Sequence, residues 1–311
     1  MARPRNNYAD WLVFVALRVL AMFVHMFPPA TNYRTAAWLG RMLWRLDARH
    51  RHRAQEHLRR SFPDWPAERV DRVGMESFQH LMYLGVEVLT TTRLMTPWTW
   101  RRAVRLANLG ETIRLLLERR TGLILVTGHF GSFEMVGYTM ATLGFPSVSV
   151  ARPLDNPYVN DYVMGVRERT GQSILYKKGA AATMEDVLAA GGTLAFIADQ
   201  DAGRKGLFVD FFGRPASTYK SIGLMAMKFG APIVVGYGRR LAGPFTFEIG
   251  VQRIIYPHQW ARQADPLRWI TQEYTAALEE IVRTSPEQYL WVHRRWKHRP
   301  KGEQPGPDGV A

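Results

Sequence analysis

The sequence predicts an α/β protein: a mixed, mostly parallel sheet flanked by helices, preceded by a helical, membrane-associating N-terminal region. Two patterns carry this prediction. Up to about residue 120, apolar residues recur at helical spacing. Beyond it, short apolar runs alternate with helical stretches, which is typical of βαβ units and a parallel sheet. The chain of 311 residues is 47% hydrophobic and 22% charged, a composition typical of folded globular proteins.

The N-terminal thirty residues are predicted to anchor the protein to a membrane. The run from Trp11 to Phe27 is almost entirely apolar, follows Arg3 and Arg5, and stops at a double proline. It is short for a full span and contains Arg18, so a helix that crosses the bilayer and one that lies in the cytoplasmic leaflet both remain open. The alternative is a helix packed on the protein's own surface. A cleaved signal peptide is not expected, because no small-residue cleavage site precedes the prolines.

The remainder is predicted to form one domain over residues 31–298, with a disordered tail at 299–311 that is rich in proline and glycine. Residues 67–93 keep an apolar stripe at helical spacing. The predicted strands are Gly122–Thr127, Ser147–Ala151, Ser173–Tyr176, Thr193–Ala198, Ile233–Gly238 and, as a candidate antiparallel edge strand, Phe245–Val251. The predicted helices between and after them are Phe133–Leu143, Pro157–Thr170, Ala181–Ala190, Tyr219–Phe229 and Pro266–Thr284.

The charge balance restricts the partners. The chain carries 41 Lys+Arg against 27 Asp+Glu, a net charge of +14, which favours nucleic acid, an acidic protein or an anionic membrane surface. No nucleic-acid-binding motif is present, and no nucleic-acid partner is expected. The chain has no cysteine, which excludes Cys-based zinc sites and Cys nucleophiles. The His-Glu-x-x-His motif of zinc enzymes is also missing from the sequence. Neither Gly-x-x-x-x-Gly-Lys nor Gly-x-Gly-x-x-Gly after a strand is present, so the sequence does not indicate a nucleotide enzyme.

The string TGHFGSFE places a histidine just past the end of a buried strand. Across a strand–turn–helix junction His129 and Glu134 can converge, with Ser132 as the helix N-cap. Neutral imidazole is a general base near neutral pH, and a carboxylate on its other nitrogen fixes the tautomer. The alternative is a histidine satisfied by backbone groups, with Glu134 placed for the helix dipole.

Polar residues beyond other strand ends are candidates to bind substrate. Arg152 is suited to a phosphate or an oxyanion, or to a surface ion pair with Asp155. Asp199 and Asp201 could bind a metal, orient a substrate hydroxyl or cap a loop; we assign Asp199 to substrate binding and expect no metal.

The next stretch is predicted to be a mobile loop in which Arg214 lies beside several phenylalanines, as suits an anionic lipid. Lys220, in the first turn of a helix, opposes the helix dipole and hints at an external anion. The segment at residues 289–300, YLWVHRRWKHRP, suggests an interfacial or anion-binding edge, or else a solvated basic strand.

Several of these strings together resemble a known family. His-x4-Glu after a buried strand is similar to the His-x4-Asp/Glu motif of the lysophospholipid acyltransferase superfamily, whose sheet is of the glycerol-3-phosphate acyltransferase type. TGHFGSFE, ARPLDNP and DQD…FVDFFGRPAST resemble the lipid A biosynthesis lauroyl/myristoyl acyltransferases over about residues 8–300. They are also similar to the phosphatidylinositol mannoside acyltransferases.

The resemblance implies transfer of a fatty acyl chain from a thioester, usually on acyl carrier protein but with coenzyme A as an alternative, to a hydroxyl of a membrane glycolipid of the Kdo2-lipid IVA type. His129 would then be the base and Glu134 its orienting carboxylate, with an oxyanion held by the amides of Gly131 and Ser132 or by Arg152. It implies no cofactor, contact with anionic inner-membrane lipids, and a place on the cytoplasmic face. The alternatives are another glycolipid or phospholipid acceptor and a thioester hydrolase that uses the same His/Glu pair.

Overall fold

The computed structural model describes residues 7–151, 153–168, 172–176 and 180–302. It is an α/β fold in which helices flank a seven-stranded sheet, as predicted. The helices are α1 (Asn7–Met26), α2 (Pro29–Leu46), α3 (Ala48–Ser61), α4 (Ala67–Leu94), α5 (Trp100–Ala103), α6 (Gly110–Glu118), α7 (Phe133–Thr142), α8 (Pro157–Glu168), α9 (Ala180–Ala189), α10 (Ser221–Phe229), α11 (Pro257–Trp260) and α12 (Pro266–Thr284), followed by a 3₁₀ turn, Pro286–Gln288.

The sheet has the strand order β1-β9-β8-β2-β5-β3-β4. The strands of this sheet are β1 (Val104–Ala107), β2 (Leu123–Thr127), β3 (Val148–Ala151), β4 (Ser173–Tyr176), β5 (Thr193–Ile197), β8 (Ile233–Arg240) and β9 (Phe247–Ile255). All neighbouring pairs are parallel except β8 and β9. The mostly parallel sheet is therefore confirmed.

Two elements differ from the sequence prediction. The strand predicted over Phe245–Val251 is antiparallel to β8, as expected, but it is not at the edge, because β1 pairs with its other side. Strand β1 lies in the region predicted to be helical. It has only four residues, too few to interrupt a helical apolar pattern visibly.

The predicted mobile loop after β5 contains an antiparallel hairpin of β6 (Leu207–Phe211) and β7 (Arg214–Thr218). Phe211 and Phe212 are 1% and 4% exposed and belong to the main core, so the expectation that they face lipid is wrong. A glycine turn that closes a hairpin and a glycine-rich mobile loop have the same composition, and only the strand pairing separates them.

The core lies against the middle of the sheet. Ile124 on β2, Leu194 on β5 and Ile233 on β8 are completely buried, and each contributes roughly 1.5–3 kcal/mol by leaving water. Three strands with both faces covered read as near-continuous apolar runs, which is why the sequence located them. The polar loops follow the carboxyl ends of these strands.

Helix α1 precedes this domain. It is long and apolar enough to cross a membrane, with a mean hydropathy of 1.7 over a window of which 11% is buried. It ends at Met26, near the predicted boundary at residue 30. At the other end, residues 303–311 of the predicted tail lie outside the described residues.

Candidate active site

A histidine–aspartate pair occupies the carboxyl edge of the sheet. Strands β2 and β5 are parallel neighbours, with Thr127 in register with Ile197 at their ends. His129 and Asp199 each follow two residues later, so the topology itself brings them together. Nδ1 of His129 lies 2.7 Å from Oδ1 of Asp199, and the backbone N–H of His129 donates to Oδ2 at 2.8 Å.

Burial makes this pair strongly coupled, because the side chains are 12% and 2% exposed. Burial alone would lower the pKa of His129, but the charge and hydrogen bond of Asp199 outweigh it and raise that pKa above its usual value. Burial would likewise raise the pKa of Asp199, and the adjacent imidazole instead holds it well below its usual range. The arrangement stabilises an imidazolium beside a carboxylate.

Glu134 does not hold the imidazole, which corrects the sequence prediction. Its carboxylate is paired with Arg167 of α8 through two hydrogen bonds, one of them 2.9 Å from Nε of Arg167 to Oε2 of Glu134 and the other from Nη2 to Oε1. Glu134 lies in the first turn of α7, and its side chain contacts α8 through Arg167. Asp199 thus lies at the imidazole, in the position predicted for Glu134. It does not lie in the substrate-binding position that the sequence analysis assigned to Asp199.

The other side of the imidazole faces three groups. Nε2 of His129 is 3.3 Å from Nε2 of the exposed Gln200. The ring of His293 is stacked on that of His129 at 5.6 Å, and burial lowers the pKa of His293 to about 4, so it is neutral near pH 7. Phe133 contacts the ring edge-on at 5.2 Å. Nε2 is thus the ring nitrogen that Asp199 does not engage, and its neighbour Gln200 is exposed.

The amides predicted to form an oxyanion hole are already bonded. The N–H of Gly131 donates to the backbone oxygen of Gln288 at 2.8 Å, and that of Ser132 donates to Gly238 at 2.7 Å. A Cβ on Gly131, whose φ is +55°, would lie 2.0 Å from the Gly238 oxygen, so glycine is required there. Ser132 occupies the N-cap position of α7, but its side chain makes no capping bond.

The C-terminal segment, residues 288–298, encloses the pair. Phe130 and Tyr289 form an isolated antiparallel bridge, and the N–H of Leu290 donates to the backbone oxygen of His129 at 3.1 Å. Arg295 is 1% exposed and donates to the backbone oxygens of Gln200 and Ser217 and to the hydroxyl of Thr218. Trp291, Arg295 and Trp296 of this segment are therefore buried, where its composition suggested an interfacial or anion-binding edge.

Two of the other residues predicted to bind substrate, Arg214 and Lys220, are not at the pair. Arg152 lies outside the described residues. Arg214 donates to the hydroxyl of Ser61, and its guanidinium lies 3.6 Å from the ring centre of Trp296, so it packs the hairpin against the helical region. Lys220 is exposed at the N-cap of α10, one position before the predicted first turn.

An apolar cavity of about 100 Å³ lies between α7 and the sheet. Small residues on the sheet face leave the space, among them Ser149, Ala195, Gly236 and Gly250. Phe133, which contacts His129, lines it, and the Glu134–Arg167 pair forms a polar part of its wall. Apolar walls with a few polar groups among them are typical of a site for an apolar ligand.

The sequence reasoning missed the roles of Arg167, Gln200 and His293, and it did not connect Asp199 with His129. A signal for Asp199 was available, since both residues lie two positions beyond a predicted strand. Across the described ranges, no group of three or more His, Asp or Glu side chains is placed to hold a metal ion.

The chain is similar to known proteins over almost its whole length. The family model for bacterial lipid A biosynthesis acyltransferases matches residues 3–298. The chain is 27% identical to lipid A biosynthesis lauroyltransferase of Escherichia coli K12, with 94% of this chain and 93% of that protein covered. It is also 27% identical to the palmitoleoyltransferase of the same organism, with 94% and 93% covered, and 22% identical to a lipid A biosynthesis acyltransferase of Haemophilus influenzae, with 94% and 89% covered. The chain therefore belongs to the bacterial lipid A biosynthesis acyltransferase family.

Proposed function

We propose that this acyltransferase moves a fatty acyl chain from a thioester to a hydroxyl of a lipid A precursor of the Kdo2-lipid IVA type, with His129 as the general base and Asp199 as its orienting carboxylate. One observation carries the proposal: a buried His–Asp pair lies next to an apolar cavity, because Phe133 contacts the His129 ring and also lines that cavity. A base and a place for an acyl chain are what this reaction needs.

The proton path follows from the geometry. Asp199 accepts from Nδ1 of His129, so the neutral imidazole has its lone pair on Nε2. Nε2 takes the proton of the acceptor hydroxyl as its oxygen attacks the thioester carbonyl. When the tetrahedral intermediate collapses, the carbon–sulfur bond breaks and the imidazolium returns the proton to the leaving thiolate. The ester and the free thiol are the products, and no cofactor is required.

The cavity beneath α7 would hold the acyl chain. Its floor of small residues on β3, β5, β8 and β9 gives an apolar slot that leads away from His129 toward Met140 and Leu109. Burying each methylene there contributes about 0.8 kcal/mol. Arg167 lines the same cavity. Glu134 accepts from its Nε and Nη2, and Nη1 would donate to the developing oxyanion in place of the bonded amides.

Acyl carrier protein is our proposed donor partner, and anionic lipids of the inner membrane are the proposed surroundings, at the cytoplasmic face. Two facts support this: the net charge of +14, which favours acidic partners, and the apolar α1. The relatives named as lauroyltransferase and palmitoleoyltransferase support a fatty acyl chain as the transferred group.

The test is an acyl-transfer assay in detergent, with carrier-protein and coenzyme A thioesters offered in parallel, each with and without Kdo2-lipid IVA. We expect a product heavier by one acyl chain, formed by the wild type and lost in His129→Ala. His52→Ala, which removes an exposed imidazole on α3, is the matched control and should retain activity.

Two outcomes would contradict the proposal. Equal thioester consumption without acceptor would indicate a hydrolase, or another acceptor if a total lipid extract restores transfer. Full activity of His129→Ala would remove the histidine from the mechanism.

A further inference from the structure

Helix α1 lies along the catalytic domain and does not project from it. The amide of Asn156 donates to the backbone oxygen of Asp10 at 2.8 Å, near the start of the helix. In the middle, the ring of Phe14 is 6.0 Å from that of Tyr158, which is on α8. Near the end, Arg93 of α4 donates to the backbone oxygen of His25.

These contacts extend over almost the whole helix. From Asp10 to His25 the axis rises about 22 Å, whereas the hydrocarbon core of a bilayer is about 30 Å thick. A spanning α1 would have to carry α8 into the bilayer with it. That helix contains Asp161, Arg167 and Glu168, and charged groups at such depth are strongly unfavourable.

The opposite face of α1 is exposed and apolar. Its large side chains that remain at least partly open to solvent are Tyr8, Trp11, Leu12, Val13, Val19, Leu20, Met22, Phe23 and Met26. A patch of this extent on a soluble monomer marks an interaction surface.

The exposed residues of α2 indicate what covers the apolar face of α1. On α2 the exposed apolar residues Trp38, Leu39, Leu43 and Leu46 alternate with exposed arginines, namely Arg34, Arg41 and Arg45. Apolar groups interleaved with cations suit an anionic lipid surface. A second copy of the chain would bring cation against cation.

We propose that α1 lies in the plane of an anionic bilayer surface, with its outer face embedded, and does not cross the bilayer. Its inner face rests on α8, which carries Arg167 in the cavity wall. The attachment therefore holds the cavity at a fixed height beside the lipid headgroups. This inference rests on the contacts of α1 and not on the acyl-transfer chemistry.

The absence of cysteine allows a depth measurement without background labelling. Single variants Tyr8→Cys, Val19→Cys and Met26→Cys, each carrying a fluorophore, are reconstituted into phosphatidylglycerol-containing vesicles whose lipids bear nitroxide quenchers at known depths. We expect the three labels to lie at one shallow depth, about 5–10 Å below the headgroups. Ala21→Cys, at the 4% exposed inner face, is the control and should be shielded from the quenchers.

A spanning helix gives a different profile: Val19 near the bilayer centre, and Tyr8 and Met26 close to opposite surfaces, about 27 Å apart. That profile would overturn the proposal. If a second copy covers the face instead, Val19→Cys will cross-link between chains with a bifunctional maleimide at every lipid-to-protein ratio, and that result would also overturn it.

A second measurement checks the inner face in the same vesicles. Phe14→Cys with Tyr158→Cys should cross-link within one chain through a short bifunctional maleimide, because their rings are in contact. Val13→Cys with Tyr158→Cys is the matched control, since Val13 is 58% exposed on the outer face. Absence of the first cross-link in membrane-bound protein would show that α1 leaves α8. Neither measurement uses activity, so failure here is distinct from failure of the proposed function.

Discussion

Asp199→Asn isolates the charge of the carboxylate from its shape. The amide has nearly the same volume, so the fully buried site stays filled, but it accepts at one atom and donates at the other. Two hydrogen bonds from His129, at 2.7 and 2.8 Å, then meet a neutral partner. The imidazole loses both the group that fixes its tautomer and the charge that stabilises its protonated form.

The size of the effect follows from these bonds. A hydrogen bond to a charged group contributes about 1.5–3 kcal/mol, and one pKa unit corresponds to about 1.4 kcal/mol. The pKa of His129 should therefore fall, because the charge and hydrogen bond that raise it are weakened. Since the base acts in its neutral form, activity in the wild type rises with pH through the raised pKa of His129, and in the variant this acid limb moves to lower pH. Loss of the correct tautomer should lower kcat by roughly 10²–10⁴-fold.

The assay is the pH dependence of kcat/KM with a soluble thioester donor and saturating acceptor, from pH 5 to pH 9. Glu134→Gln is the comparison variant: its carboxylate pairs with Arg167, so activity should fall with a much smaller shift of the acid limb. A large shift in Glu134→Gln with none in Asp199→Asn would refute the assignment of Asp199 and restore the arrangement first expected from the sequence.

Three further outcomes are expected. Ala195→Leu fills part of the cavity, so kcat/KM for the longest accepted acyl donor should fall by roughly 30-fold, about 2 kcal/mol. For donors shorter by several methylenes, kcat/KM should change little. Ala189→Leu, at an exposed helix position, is the control and should leave kcat/KM unchanged for both kinds of donor. Gln288→Ala removes the buried amide that bonds both the N–H and the oxygen of Arg240, so urea unfolding should show a loss of about 2–4 kcal/mol. The His129–Asp199 pair should stabilise the fold most between about pH 4 and about pH 6.5. The lowered pKa of Asp199 adds stability that is lost as the pH falls through that pKa. The raised pKa of His129 adds stability that is lost as the pH rises through that pKa. Urea titrations that show the same wild-type minus Asp199→Asn difference at pH 5.5 and pH 9 would contradict this last expectation.

The strand ends were predictable because the central strands are buried on both faces. GLILVTG and TLAFIAD are apolar runs that stop at polar residues, and that stop places His129 and Asp199 at one edge of the sheet. Which strands are neighbours is a matter of topology and not of chain order. β5 lies beside β2, although β3 and β4 come between them in the sequence. Glu134 is near His129 in the chain, and this proximity made it the expected partner.

The C-terminal segment shows a different limit. Its cations and tryptophans are the composition of an interfacial edge, and the same composition suits a buried site when the side chains find acceptors there. Arg295 has three such acceptors, contributed by Gln200 and by strand β7. Burial of an arginine depends on partners distant in sequence, so the local pattern could not indicate it.

The bonds between residues 129–131 and residues 288–290 determine when the site can exist. The turn at His129 is synthesised before β3, whereas the backbone that fixes it, through the oxygen of Gln288 and the N–H of Leu290, is synthesised only after β9. A nascent chain can therefore complete most of its sheet and still have no positioned histidine. Contacts so distant in sequence also close slowly. A chain that ends before Gln288 would therefore lack both of the backbone bonds that fix the turn at His129.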